Sequence, residues 1–80
     1  MEKKWCVYIL RCLDGTYYTG VSNDVDKRMK AHMDGKGSKY VCSRGFGELL
    51  GVKECEDKIE AFREEWRIKQ LPRQEKLGAF

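Results

Sequence analysis

Apolar and polar positions divide the chain into a strand-rich opening and a helical remainder. From Trp5 to Cys12 every residue except Arg11 is apolar or aromatic. Such a run, rich in β-branched and aromatic side chains, predicts a central strand covered on both faces. Asp14-Gly15 then supplies a turn and Thr16 to Val21 resumes the β pattern, so the first two strands form a hairpin. If the loop is Asp14-Gly15 alone, Tyr18 opposes Arg11, and Tyr8 and Tyr18 fall on opposite faces of the sheet. If it is Leu13-Asp14-Gly15 with Gly15 left-handed, Leu10 opposes Tyr18 and Tyr8 opposes Gly20, so both phenols share a face. Gly20 then leaves open space opposite Tyr8, where a backbone or a phosphate could approach. The pattern alone leaves both geometries open.

Helical signals follow. Asn23 as a cap, with Asp26 three residues on, predicts a first helix from Asp24 to Met33, on which Arg28 and His32 lie one turn apart on one face. The glycines of Asp34-Gly35-Lys36-Gly37-Ser38 mark a loop. One short helical turn fits Lys39 to Arg44. Glu48 to Glu54 reads as a third strand, and Asp57 to Leu71 as the longest helix. Pro72 ends that helix and opens a short final one reaching Leu77. The expected class is α/β of the α+β type, in the order ββαβαα.

The long helix carries an anomaly. At about 100° per residue, with Ile59 at zero, Phe62 lies near 300°, Trp66 near 340°, Ala61 near 200° and Ile68 near 180°. Glu65, near 240°, then has apolar neighbours on both sides, which is costly for a carboxylate unless something pairs with it. Lys69, one turn on, or Lys58, about two turns earlier, could do so. The other reading places Glu65 at a cleft floor holding a divalent cation, for which carboxylate oxygen is a preferred ligand. Glu64 points elsewhere and reads as solvated charge.

Composition sharpens this picture. Eighty residues fit one small domain, 1–80, with a thin core and a shallow site. The net charge of +3 matters less than its distribution. Lys27, Arg28, Lys30, Lys36, Lys39 and Arg44 face a single anion, Asp34, across Lys27 to Arg44, and phosphate is the natural ligand of such a patch. The longest apolar run, Cys6 to Leu10, is far short of the roughly 18 residues of a membrane span. The start lacks a signal-peptide pattern, so the expected location is cytoplasmic. Cys6, Cys12, Cys42 and Cys55 form no Cys-x-x-Cys pair and read as small core thiols. Zinc held by these cysteines with His32 lacks finger-type spacing. A thiol enzyme using His32 lacks a setting that would activate a cysteine.

Together, Cys6-Val7-Tyr8, Tyr18-Thr19-Gly20, Arg28 with His32 after Asp24-Val25-Asp26-Lys27, and Glu65 within Phe62 to Leu71 resemble the GIY-YIG endonuclease domain. The likeness runs from Trp5 to about Leu77 and is greatest to the small single-domain bacterial branch, which shares a loop like Gly35 to Lys39. The resemblance implies a small three-stranded antiparallel sheet flanked by helices, and hydrolysis of DNA phosphodiester bonds, at branched or damaged structures, with one Mg2+ or Mn2+. It implies that Glu65 binds the metal, that Arg28 steadies the phosphate, and that Tyr8 and Tyr18 lie at the attacking water, one of them as base, with His32 assisting proton transfer or orienting a tyrosine. A tyrosine with an ordinary pKa near 10 acts as a base near neutrality only if Arg28 and the metal lower it. Lys27, Lys30, Lys36, Lys39 and Arg44 would track the phosphate backbone. The chain departs from the family pattern in carrying Cys6 for the first signature glycine and no asparagine after Glu65. The missing asparagine and the shallow surface motivate one alternative, a catalytically weak nucleic-acid-binding module; another is a partner-dependent nuclease subunit whose surface recruits a second protein.

Overall fold

The computed structural model describes residues 4–80. It contains a three-stranded antiparallel sheet made of β1 (Cys6–Cys12), β2 (Tyr17–Ser22) and β3 (Phe46–Glu54), in the order β2-β1-β3. Helices α1 (Val25–Met33), α2 (Lys39–Arg44), α3 (Lys58–Lys69) and α4 (Arg73–Lys76) and a short 3-10 turn (Leu77–Ala79) flank it. The helical turn expected at Lys39 to Arg44 is thus a six-residue helix, an element additional to ββαβαα. Among the described residues no helix is long and apolar enough to cross a membrane.

β1 is the central strand, and its alternation builds two cores. Tyr8, Leu10 and Cys12 pack with Met29 of α1 and Val41 of α2 on one face. On the other, Val7 packs with Cys55 and with Ala61 and Ile68 of α3, closed by Trp5, Val21 and the C-terminal Phe80. Val7, Ile9, Leu10, Val41 and Ile68 are completely buried, and each contributes about 1.5–3 kcal/mol of apolar transfer. Three cysteines are core residues as expected, but Cys42, on the outer side of α2, is exposed.

Local chemistry sets the boundaries. The helix-one cap is Asp24 rather than Asn23: its carboxylate accepts from the Lys27 amide at 3.2 Å, while Ser22 Oγ holds the Asp24 amide at 2.9 Å. Ser38 caps α2, accepting from the amides of Tyr40 and Val41. Asp57 caps α3 through the Glu60 amide at 2.8 Å. At the other end of α3, Lys76 Nζ donates to the carbonyls of Ile68 and Lys69, both at 3.1 Å. A cation there satisfies carbonyls that the ended helix leaves unpaired.

Candidate active site

The hairpin turn decides where the tyrosines go. The loop is Leu13-Asp14-Gly15: the Cys12 amide donates to Thr16 O at 2.8 Å, and Gly15 takes φ +86°, a conformation that costs glycine little. Asp14 fixes the turn by accepting from the amide and hydroxyl of Thr16. The register then pairs Leu10 with Tyr18 and Tyr8 with Gly20, so both phenols share a face, with ring centroids 6.4 Å apart. The space expected opposite Tyr8 is not open. A Cβ on Gly20 would stand 2.5 Å from Tyr8 Oη and 3.1 Å from Tyr18 Cε1, so this glycine makes room for the phenol itself.

Tyr8 Oη and His32 Nε2 form a hydrogen bond of 3.0 Å, joining β1 to α1 inside the core. Tyr8 is 1% and His32 3% exposed. Gly37 of the glycine loop lies against the imidazole so closely that a Cβ there would collide with Nδ1. Phe46 stacks parallel to the ring at 6.4 Å, and Tyr18 meets it edge-on at 5.7 Å. His32 Nδ1 is buried without a hydrogen-bond partner. Burial, aided by the Arg28 charge, holds the His32 pKa below its ordinary value, so the ring stays neutral at neutral pH. An acid-sensitivity prediction follows from the sign. With the folded pKa depressed, the unfolded chain binds the proton first, and stability falls as pH drops through about 6.5. The melting temperature should fall between pH 7.5 and 5.5, and His32→Gln should flatten that slope; an equal slope in both proteins refutes it. The carboxylates with depressed pKa, Asp14 and Glu64, titrate well below this window.

Tyr18 is only half-buried and stacks on Tyr40 at 5.6 Å. The Arg44 guanidinium lies 4.4 Å over the opposite ring, Tyr40, and bonds Asp14 at 2.7 Å. Arg44, expected among the backbone-tracking cations, is therefore committed to bracing the turn and the Tyr18–Tyr40 stack. Lys27, Lys30, Lys36 and Lys39 are exposed. Lys36 and Lys39, with Ser38, line an open hollow of about 390 Å³. Lys27 and Arg28, with Ser22 and Asp24, line a second of about 220 Å³.

Electrostatics tie the remaining residues to Tyr8. Burial pushes its phenol pKa well above the ordinary range; Tyr18 and Glu65 push the same way, and Arg28 pulls against them. The expected lowering of the phenol by Arg28 is thus present in direction but outweighed by burial. Arg28 and Glu65, on helices covering opposite faces of the sheet, both lie near enough for their charges to act on this one ring. Arg28 is exposed, and among the described residues its side chain makes one weak hydrogen bond, to Gly37 O at 3.5 Å. Glu65 is not enclosed by apolar neighbours as the helical projection suggested: Ala61 and Ile68 are buried, whereas Ile59, Phe62 and Trp66 face solvent. Its side chain is 19% exposed and pairs with Lys69 at 3.5 Å. Glu64, expected to be freely solvated, is instead held by Arg67 at 2.7 Å and Lys53 at 3.6 Å, which lowers its pKa.

The donor set discriminates among metals. Among the described residues no three His, Cys, Asp or Glu side chains gather into a cage. A single, loosely paired carboxylate at Glu65 fits magnesium or manganese, since magnesium keeps several waters and takes one or two carboxylates plus substrate phosphate oxygens. Tyr40, Phe46 and Gly37 are site components that the sequence pattern did not single out. Tyr40 lies inside the basic stretch, whose charges drew the reading, and nothing local in the sequence announces the contacts of Phe46 or Gly37 with His32.

The chain matches the GIY-YIG catalytic domain over residues 4–77. The chain belongs to the GIY-YIG family, with its nuclease-type fold; members are generally endonucleases and typically use divalent metals. Within that family it is similar to small UPF0213 proteins of bacteria and archaea. One from Oceanobacillus iheyensis is 52% identical over 77 residues, covering 96% of this chain and 90% of the relative. One from Halobacterium salinarum is 45% identical over 74 residues, covering 92% of this chain and 96% of the relative. The solution NMR structure of the UPF0213 protein BH0048 from Bacillus halodurans, 45% identical, covers 91% of this chain and 78% of its own, with a TM-score of 0.55.

Proposed function

We propose that this protein is a metal-dependent endonuclease that hydrolyses DNA phosphodiester bonds, acting at branched or damaged structures. What supports the reading is that Tyr18 of β2 and His32 of α1 meet one buried phenol, Tyr8, directly, and that the charges of Arg28 on α1 and Glu65 on α3 both act on it. Arg28 is exposed and almost unpartnered, as a cation that receives the phosphoryl oxygens must be. Glu65 would hold the divalent ion, which when bound supplies charge neutralisation at the phosphate and a better leaving oxygen. Lys27, Lys30, Lys36 and Lys39 would hold the backbone on either side.

Burial separates the roles of the tyrosines. Tyr18 is reachable and orients the attacking water. Tyr8 is sealed in, stays protonated, and with His32 fixes the Tyr18 ring; neutral His32 Nε2 is the acceptor for any proton passed inward through Tyr8 Oη. Tyr18→Phe should therefore reduce single-turnover cleavage by about 10²-fold or more, as loss of a group handling the water's proton does. Tyr8→Phe should cost only about tenfold, the value of one buried hydrogen bond, and leave the shape of the pH profile intact. The reverse ranking would make Tyr8 the base.

The direct test incubates purified protein with plasmid, flap and junction DNA plus magnesium or manganese, with chelated controls. Metal-dependent nicks abolished by Arg28→Ala support the endonuclease. Binding without cuts, unchanged by Glu65→Ala, supports the non-cleaving nucleic-acid module. Cleavage appearing only with a co-purifying protein supports the partner-dependent subunit.

A further inference from the structure

Helix α3 presents a second surface that the reaction does not use. Its inner side is anchored by Ala61 and Ile68, both fully buried, so the helix is rigidly held. Its outer side exposes Phe62 at 46% and Trp66 at 68%. Large aromatic rings left in water on an otherwise polar helix mark an interaction surface. The two rings are four residues apart and hence neighbours, about 6 Å apart along the helix axis, far enough to take separate planar groups. The row continues beyond the helix: Lys58 Nζ lies 5.9 Å from the Phe62 ring centroid and 5.5 Å from that of Trp5.

We infer that the Phe62–Trp66 face of α3 stacks the unpaired bases of a nucleic-acid strand, flanking the scissile phosphate. Charge selects this occupant. Lys58 and Lys69 border the stripe on one side and Arg63 on the other, so a second copy laid face to face would set cations against cations. An anionic polymer with planar faces answers both features at once. Alternating aromatic rings and cations are what sequence-tolerant single-strand grooves use: rings for the bases, cations for the backbone. Position selects it too. Trp66 directly follows Glu65, and Lys69, which borders the rings, is the residue that pairs with Glu65. A strand with a phosphate at Glu65 would bring its neighbouring base over Trp66. A lipid bilayer is the poorer fit, because an interfacial helix sinks a broad apolar face, whereas this stripe, with exposed Ile59 included, spans only about 60° of the helix and is walled by charge.

The inference rests on the nucleic-acid reading of the neighbouring site, and its test is separable from cleavage. Binding is measured by fluorescence anisotropy with the full chain carrying Glu65→Gln, in chelator, so that no hydrolysis enters. The probes are a labelled oligothymidylate of about twelve nucleotides, within the site sizes of such grooves, and a blunt duplex of equal length. Adding Trp66→Ala should weaken oligothymidylate binding by roughly tenfold, the worth of one stacked base, while duplex binding changes by less than about twofold. Trp66→Phe should restore most of the loss, and Phe62→Ala should show a smaller version of it. These side chains are solvent-exposed, so melting temperatures should stay close to the parent's; a drop in Trp66→Ala alone leaves Phe62→Ala and the phenylalanine rescue as the deciding arms.

Equal loss for single strand and duplex, or no loss, overturns the inference. So does a Trp66-dependent emission shift on phosphatidylglycerol vesicles without any oligothymidylate effect, which would make the face a membrane contact. A dimer in sedimentation that Trp66→Ala dissolves would make it a self-interface and overturn it as well. Intact single-strand binding in a protein whose wild type never cuts would sink the endonuclease reading and leave this surface standing. Cutting that is indifferent to Trp66 and Phe62 would do the converse.

Discussion

Glu65→Gln should lower magnesium-dependent cleavage by at least about 10²–10³-fold, the typical loss when one preorganised electrostatic contact to a developing charge is removed. The substitution keeps the side chain's volume and removes only the negative charge that a hard cation needs. DNA binding should hold or tighten slightly, because an anion leaves a surface meant for phosphate. The neighbouring Glu64→Gln is the control. It severs the ion pairs with Arg67 and Lys53, partly exposed contacts of small value, so cleavage should change by no more than about threefold. Rates are compared at saturating metal and again across a magnesium titration. If Glu65→Gln cuts as fast as wild type, Glu65 is not the metal ligand, and the role passes to a group outside the one described.

Gly20→Ala should be a strongly damaging small change at the site. Its φ lies outside the left-handed region, so the backbone accepts alanine; the obstacle is Tyr8, whose Oη and Cζ would stand 2.5 and 2.7 Å from the new Cβ. A free tyrosine tip would swing aside. This one is buried and held by His32, so the ring must displace and the hydrogen bond to Nε2 lengthen. Overpacking of this kind costs about 1–3 kcal/mol. In a domain of this size each kcal/mol shifts the melting temperature by about 4–8 °C. Tyr8→Phe, which removes the nearest atom, should recover part of the loss, so the double mutant should be more stable than the sum of the two single effects predicts. Additive melting shifts in thermal unfolding would show that the two residues do not contend for one space.

Legibility in the sequence followed the range of the interaction involved. Strands and helices depend on neighbours in the chain, and β1, the hairpin, α1 and α3 all emerge close to where periodicity and caps placed them. Errors of one or two residues came from competing caps: Asn23 and Asp24 are both capable, and Ser22 Oγ, by holding the Asp24 amide, favours the latter. The α3 projection went wrong in a different way. Periodicity established that Ile59, Phe62 and Trp66 form one stripe, but which arc meets the sheet depended on Ala61 and Ile68 fitting against Val7 and Cys55. Small and branched side chains permit close approach where larger rings do not.

By itself the sequence determined an α+β chain with a central apolar strand and a basic stretch from Lys27 to Arg44, because periodicity, turn chemistry and charge are local properties. It left open whether the tyrosines share a face, and only the Cys12–Thr16 closure of a three-residue loop settled that, since one residue of register inverts every side chain in a strand. Tertiary structure alone decided that Tyr8 is sealed against His32 while Tyr18 stays reachable, and that Arg44 serves Tyr40 and Asp14. Burial and the field at a buried ring are sums over groups distant in the chain, which no local pattern encodes.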